Sequence, residues 1–315
     1  MGGSLMRMNR QVIGLGVIGL GAMGSEMLGI AVDHPEYKVV LAADPARSAP
    51  AGIAHTRDAQ RVIDHPDIDA VYIASPPSTH AGYAVQAMKA GKAVFCEKPL
   101  AVDLDEGAEM VSVAAELEAV NALNFVLSDR AASVEVGRAL RAGEVGTVLG
   151  VDVRLLFPEW PRAFQREAAW VAGREQGGFL REVASHYLFL TDRLLGPLTR
   201  SHTRIDYGPA AETTASGLLA AADGVPVRVS GQVAAGPETY EWTLYGSKAS
   251  YRITEWSRLL KGDGSGWREV TLDGPRGDER TRLTEFARTV RGEPTTLADF
   301  SAGLRVQRLI EGFHR

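Results

Sequence analysis

Three stretches of the 315-residue chain combine residue types that can hold a ligand or move a proton. The first is Gly14-Leu15-Gly16-Val17-Ile18-Gly19-Leu20-Gly21-Ala22-Met23-Gly24, where the spacing G-x-G-x-x-G occurs twice in overlapping registers. Between a strand and a helix, glycines so spaced allow a sharp turn and close approach of a dinucleotide pyrophosphate, which the free N–H groups and positive end of the helix attract. Only one register can be that turn. The first would be preceded by the polar, basic stretch Met6–Ile13 and followed by a helix containing Gly19, Gly21 and Gly24, each costing about 1 kcal/mol. The second follows the apolar run Gln11–Ile18 and opens the helix Ala22–Val32, so Gly19, Gly21, Ala22, Met23 and Gly24 are the expected phosphate-turn residues. Asp44, 20 residues after Gly24, ends the next apolar run. An acid there accepts hydrogen bonds from the adenosine ribose and repels a 2′-phosphate, which favours NAD over NADP. Arg47 works against that preference, as a guanidinium able to hold a 2′-phosphate or to cover the adenine.

The second stretch holds Glu182 and His186, four residues apart on a helix predicted to begin after Gly177-Gly178. That spacing puts both on one face. A neutral imidazole can take a hydroxyl proton while hydride leaves the same carbon, and Glu182 would orient it. The third comprises two turns at strand ends, Ser75-Pro76-Pro77-Ser78-Thr79-His80 and Glu97-Lys98-Pro99, where doubly wound sheets bind ligands. Ser75 and Pro76 would wall the nicotinamide ribose; His80 has two open readings, a cofactor contact or a structural cap. Trp160 and Arg162 could hold a sugar ring or carboxylate, or simply pack a loop, and Trp170 and Arg174 leave the same choice. Tyr187 reads as core, and Trp242 and Tyr245 as strand residues placed by packing.

The elements that must position these residues follow from periodicity. Short apolar runs at Gln11–Ile18, Tyr37–Ala43, Ala70–Ala74, Ala93–Cys96 and Val120–Phe125 alternate with amphipathic segments, the pattern of a parallel sheet covered by helices. Beyond about Val126 come helical stretches and then long β-type runs, Val148–Phe157, Ala215–Ala220, Val225–Val233 and Trp242–Ile253, with a turn at 262–266 and closing helices over Glu279–Val290 and Leu297–Phe313. The fold class is therefore α/β: an N-terminal doubly wound Rossmann domain over 11–125, then an α+β substrate domain over 126–315 with a large, open, mainly antiparallel sheet. The C-terminal helix is able to pack back on the first domain.

Composition narrows the partners. With 34 basic and 39 acidic residues, a net charge of -5 supplies no broad basic field for nucleic acid or anionic membrane, so a small molecule is expected. The single Cys96 cannot close an internal disulfide, and the seven histidines lack zinc-site spacing, which points to a reducing, cytoplasmic setting without a metal. No apolar stretch reaches the roughly 20 residues of a membrane helix, and residues 1–10 read as a loose start. β-type runs facing outward from an open sheet suggest a homo-oligomer, a dimer or tetramer.

The segments at 71–80 and 90–100, with P-P-x-x-H and G-K-x-V-x-x-E-K-P, resemble the Gfo/Idh/MocA oxidoreductases, and Gly177–His186 is similar to that family's G-G-x-L-x-D-x-x-x-H helix. Glu182 stands where the family usually has Asp, and Phe189 where a second Asp often lies. The resemblance covers nearly the whole chain. It implies NAD(P)-dependent hydride transfer to or from a secondary alcohol or ketone of a sugar, cyclitol or related polyol. It also implies that Glu97-Lys98-Pro99 is a cofactor segment, often with a cis Lys–Pro bond, whose Lys98 reaches the nicotinamide ribose and polarises the reacting oxygen. His186 would then be the general acid/base and Glu182 its orienting carboxylate. Two alternatives accompany the family: an NAD-dependent glycosidase that oxidises its sugar transiently, and a non-catalytic dinucleotide sensor.

Overall fold

The computed structural model describes residues 12–165 and 168–315; the expected loose start and Gln11 lie outside them. The chain forms two compact units, the first running to Phe125 and including Gly277–Leu304, the second comprising Val126–Arg276 and Arg305–Arg315.

In the first unit, β1 (Ile13–Ile18), β2 (Tyr37–Ala43), β3 (His55–Thr56), β4 (Ala70–Ile73), β5 (Ala93–Glu97) and β6 (Asn121–Asn124) form a parallel sheet in the order β3-β2-β1-β4-β5-β6. That order reverses direction at β1, and ligands of doubly wound sheets sit beyond the strand ends at such a point. All six β1 residues are buried, as an apolar run covered on both faces must be. Helices α1 (Ala22–Val32), α2 (Gln60–Ile63), α3 (His80–Lys89) and α4 (Leu104–Glu116) connect the strands. The α4 start is clear from sequence chemistry: Asp103 accepts from the Asp105 and Glu106 backbone N–H groups, an acidic N-cap.

The second unit contains α5 (Ala131–Arg141), the long strand β7 (Val148–Phe157), a π-helical turn over Leu180–Ala184 and α6 (Ser185–Leu195). Its sheet continues with β8 (Thr199–Tyr207), β9 (Glu212–Ala220), β10 (Pro226–Val233), β11 (Thr239–Gly246), β12 (Ser250–Thr254), β13 (Arg258–Asp263) and β14 (Gly266–Glu269), ordered β14-β13-β12-β11-β7-β10-β9-β8. Every pairing is antiparallel except β7 with β10. On the covered face, Trp242 is fully buried and its indole N–H donates to Thr191 Oγ1 of α6 at 2.9 Å.

Helix α7 (Glu279–Val290), expected in the second domain, belongs to the first unit instead. Its Leu283, Phe286, Ala287 and Val290 join the core built on β1, β4 and β5, with Phe286 stacked on Phe95 at 4.9 Å. Helix α8 (Phe300–Phe313) spans residues of both units. The run Trp242–Ile253 is two strands, β11 ending at Gly246 and β12 beginning at Ser250 with the chain turning between them. The edge strand β8 went unpredicted since Arg200, His202, Arg204 and Asp206 along it are polar and exposed.

The outward face of the sheet centre is largely polar rather than apolar, although Leu218, opposite Arg228, is 46% exposed on it. There Arg228, Asp152, Thr243 and Arg252 are cross-strand neighbours. Arg228 donates to Asp152 at 2.5 Å, the Tyr245 hydroxyl to Asp152 at 3.0 Å, and Arg252 faces Glu241 at 3.5 Å.

Candidate functional site

In the first unit the glycine turn links β1 to α1. Gly14 and Gly16 lie inside β1, where a Cβ would strike the Asp67 carbonyl at 2.0 Å or Val62 at 2.4 Å; these two glycines serve strand packing. Gly19 has φ of +94° and touches the Ala74–Ser75 backbone, and a Cβ on Gly24 would come within 1.9 Å of the Gly19 carbonyl. Gly21 differs, since nothing lies within 4 Å of its Cβ direction. It also occupies the N-cap of α1 with no side-chain cap bond, so the helix start keeps N–H groups for an outside acceptor. Ala22 and Met23 begin that helix. A pyrophosphate fits such an open, uncapped glycine turn on both steric and electrostatic grounds.

Asp44 follows β2 and is tied to the same turn. Its Oδ2 accepts from the Leu20 N–H at 2.7 Å, and its Oδ1 from the Ala46 and Arg47 N–H groups, both at 2.8 Å. Burial pushes its pKa up, but the three N–H donors and the Arg47 guanidinium outweigh that and hold it below the ordinary carboxylate value. Asp44 is thus a fixed anion at the end of β2.

The two proline turns are stapled together by His80. Its Nδ1 faces the Pro99 carbonyl at 2.8 Å and its Nε2 the Ser75 carbonyl at 2.9 Å. Burial lowers its pKa, while both carbonyls favour the protonated ring. In this structure both ring nitrogens of His80 face backbone carbonyls. Ser75 Oγ is 2.7 Å from Thr79 Oγ1, which in turn donates to the Pro76 carbonyl at 2.8 Å, so the Ser75-Pro76 turn is internally braced. The Lys98–Pro99 bond is cis, as the resemblance implied. Glu97, expected among the cofactor residues, is buried at the end of β5, where its Oε1 accepts from the Tyr72 hydroxyl and, at 2.6 Å, from Asn124 Nδ2. Burial raises its pKa, and its visible role is to brace the strand ends that carry Lys98.

In the second unit, Glu182 lies in the π turn and His186 at the start of α6. In place of the expected single α-helix the chain makes a π turn into α6; at its start Glu212 Oε1 accepts the Leu180 N–H at 2.7 Å, and Gly178, at φ +94°, packs against the Glu212 carboxylate. π turns recur at functional sites. His186 Nδ1 accepts from the Val126 N–H at 3.2 Å, so the proton of the neutral ring sits on Nε2. Glu182 Oε2 accepts from Gln165 Nε2 at 3.0 Å, and Gln165 Oε1 accepts from Arg162 Nε at 2.8 Å. Arg162 also reaches the Tyr240 hydroxyl at 3.3 Å. Trp160 instead packs inward, edge-on to Phe157 at 5.0 Å with its indole N–H on the Val171 carbonyl at 3.2 Å. Trp170 lies in a short 3-10 turn, Ala169–Ala172, with no hydrogen-bond or ring partner for its side chain among the described residues.

Sequence reasoning passed over Trp256, which meets the His186 ring edge-on at 5.5 Å and stacks on Tyr187 at 5.3 Å. It caps the β12–β13 hairpin, where Glu255 and Trp256 have φ of 51° and 67° and Ser257 N–H closes onto the Thr254 carbonyl at 3.2 Å. Two consecutive left-handed residues normally call for Asn-Gly, and elsewhere such positions cost on the order of 1–3 kcal/mol. A tryptophan in a tight turn was the available signal. Gln165 offered none.

These features define a two-unit oxidoreductase with a Rossmann dinucleotide-binding sheet. Comparison with known proteins names the family. The model of the oxidoreductase family with NAD-binding Rossmann fold, GFO/IDH/MocA, matches residues 13–125, and that of the GFO/IDH/MocA C-terminal domain matches 134–252; the chain belongs to the Gfo/Idh/MocA family. It is 28% identical over 305 residues to a dTDP-3,4-didehydro-2,6-dideoxy-alpha-D-glucose 3-reductase of Saccharopolyspora spinosa, covering 90% of this chain and 89% of the relative. It is 32% identical over 195 residues to inositol 2-dehydrogenase 2 of Paenarthrobacter aurescens, covering 59% and 57%. Among solved structures, a putative NADPH-dependent oxidoreductase from Desulfitobacterium hafniense superposes with TM-score 0.84 at 19% identity, covering 96% and 94%. KijD10, a 3-ketoreductase from Actinomadura kijaniata in complex with NADP and TDP-benzene, gives 0.80 at 20%, covering 96% and 97%. The fold is shared. Among the described residues no cluster of His, Cys, Asp and Glu could hold a metal, and no helix is long and apolar enough to cross a membrane.

Proposed function

We propose that the chain transfers hydride between a nicotinamide dinucleotide, NAD in preference to NADP, and a secondary alcohol or ketone on a sugar, cyclitol or related polyol. The observation that carries this reading is the pairing of an open, uncapped glycine turn, with Asp44 fixed beside it, and a second unit that presents a tautomerically defined histidine. The relatives named as a sugar 3-reductase and an inositol dehydrogenase support the substrate class.

A bound nicotinamide supplies or takes up the hydride at C4. The Gly19–Gly24 turn would hold the pyrophosphate, Asp44 the adenosine ribose hydroxyls, and the braced Ser75-Pro76 turn would wall the nicotinamide ribose. The proton roles divide differently from the sequence expectation. Because Val126 N–H occupies Nδ1 of His186, a neutral ring offers Nε2–H and has no free lone pair for a hydroxyl proton. His186 therefore acts as a hydrogen-bond donor to the substrate oxygen, and Lys98 takes or gives the proton. Glu182 positions this end of the site through Gln165. A screen of sugars, inositols and their keto forms with both cofactors, read as absorbance of reduced nicotinamide, tests the reading. Accumulating NADH with a polyol is expected; tight cofactor binding without turnover of any member would refute it.

A further inference from the structure

Among the described residues, Arg162 has no carboxylate partner. Its guanidinium lies 5.6 Å from the Trp160 ring and 4.6 Å from the Phe164 ring, and its two hydrogen bonds go to neutral groups, Gln165 Oε1 and the Tyr240 hydroxyl. A guanidinium has five N–H donors; two are used, and the other three have no acceptor among the described residues. The carboxylates joined to this network, Glu238 and Glu182, accept from the Tyr240 hydroxyl and from Gln165 Nε2, not from Arg162. Phe164, over whose ring face the guanidinium lies, is 70% exposed, so Arg162 is half-buried and not sealed in the core.

Arg162 is also wired to the reactive end of this unit. The path runs from its Nε through the Gln165 amide to Glu182, at 2.8 and 3.0 Å, and Glu182 lies one helical turn before His186. An acceptor held by the spare donors would thus lie on the same hydrogen-bonded network as Glu182, one turn from the group that meets the reacting oxygen. A planar fork of donors matches the oxygens of a carboxylate or a phosphate, and an Arg at such a position favours an anion over a hydroxyl.

We infer that Arg162 is the specificity residue for an anionic substituent, and that the substrate is an acidic sugar or cyclitol, bearing a carboxylate or phosphate, rather than a neutral polyol. This rests on the hydride-transfer reading above and narrows its substrate class. Phe164 and Tyr240 flank the substituent, and Gln165 transmits its position to Glu182.

The test compares kcat/KM for glucose, myo-inositol, glucuronate and glucose 6-phosphate, with saturating cofactor, in the wild-type chain, Arg162→Gln and Arg204→Gln. The last variant removes a guanidinium paired with the exposed Asp206 on β8 and controls for net charge. One of the acidic sugars should exceed its neutral counterpart by about tenfold or more, and Arg162→Gln should reduce that ratio by about 10- to 100-fold while Arg204→Gln preserves it. Glucuronate leading identifies a carboxylate as the substituent; glucose 6-phosphate leading identifies a phosphate. Neutral sugars favoured, with the ratio unmoved by Arg162→Gln, overturn the inference but leave the dehydrogenase reading standing. If nothing turns over, that reading fails, and quenching of tryptophan fluorescence decides the subsite separately. Saturable quenching by an acidic sugar that Arg162→Gln abolishes supports it, and none overturns it.

Discussion

Gly21 and Gly24 are three residues apart in one turn, yet replacing each by alanine should do opposite things. At Gly24 the new methyl carbon would lie 1.9 Å from the Gly19 carbonyl oxygen, a backbone atom with no room to retreat. Overpacking of that kind costs about 1–3 kcal/mol or more, so Gly24→Ala should lower the melting temperature whether or not cofactor is present. At Gly21, φ of -66° suits an L-residue, and nothing lies within 4 Å of the methyl. The protein alone should tolerate Gly21→Ala, or gain a few tenths of a kcal/mol from the stiffer unfolded chain. The open space matters only if a ligand fills it. Where a phosphate approaches that N–H, the methyl displaces it, and losing a charged hydrogen bond costs about 1.5–3 kcal/mol, roughly 10- to 100-fold in Kd. Thermal unfolding without ligand, paired with calorimetric titration of NADH and NADPH, separates the two effects. A Gly21→Ala protein that melts like wild type and binds both cofactors unchanged would refute the placement of the pyrophosphate at this turn.

Asp44→Ala should weaken NADH binding and narrow or invert the preference over NADPH, measured as the ratio of kcat/KM for the two cofactors. Because Asp44 also ties down Leu20, Asp44→Asn keeps the shape and should lose mainly the charge-based discrimination. Trp242→Phe removes the N–H that Thr191 Oγ1 receives in the core and should cost about 2 kcal/mol, a fall in Tm of about 4–8 °C. His314 supplies a pH signature. Burial first, and then Arg181, push its pKa down to about 4. The unfolded ring titrates near 6.5, so stability is fully present above that pH, falls as pH drops from 6.5 to 4, and levels off below. The loss is on the order of 2–3 kcal/mol after allowing for partial exposure, and a His314→Phe variant should show a shallower fall in urea titrations across that window.

Legibility differed between the two units for a physical reason. In the first, each step from residue to structure is local: an apolar run makes β1, glycine spacing makes the turn, and Asp103 or Asp44 act within a few residues of where they stand. Even the choice between overlapping glycine registers follows from strand quality, and Gly14 and Gly16 do lie inside the strand. The unit that helix α7 joins is not legible in sequence, because an amphipathic stripe specifies that a face is buried and not against what; only Phe286 on Phe95 answers that. In the second unit the informative contacts join residues far apart in sequence. Val126 selects the tautomer of His186 across 60 positions, and Gln165 reaches Glu182 across 17. No periodicity encodes either.

The local irregularities of the second unit converge on His186. The π turn places Glu182 one turn before it, Glu212 caps the start of that turn, and the left-handed pair Glu255-Trp256 brings an indole against its ring. An ordinary α-helix and an Asn-Gly hairpin would have cost less locally, so the deviations persist only because the surrounding packing over-determines them. Replacing Glu255-Trp256 by Asn-Gly relieves about 1–3 kcal/mol of backbone cost but removes the indole from Tyr187, Tyr240 and His186, so Tm should fall modestly while the imidazole is released from the ring that confines it. If the turn exists to hold His186, kcat should fall at constant cofactor Kd; an unchanged kcat would mean that the hairpin serves only the packing of Tyr187.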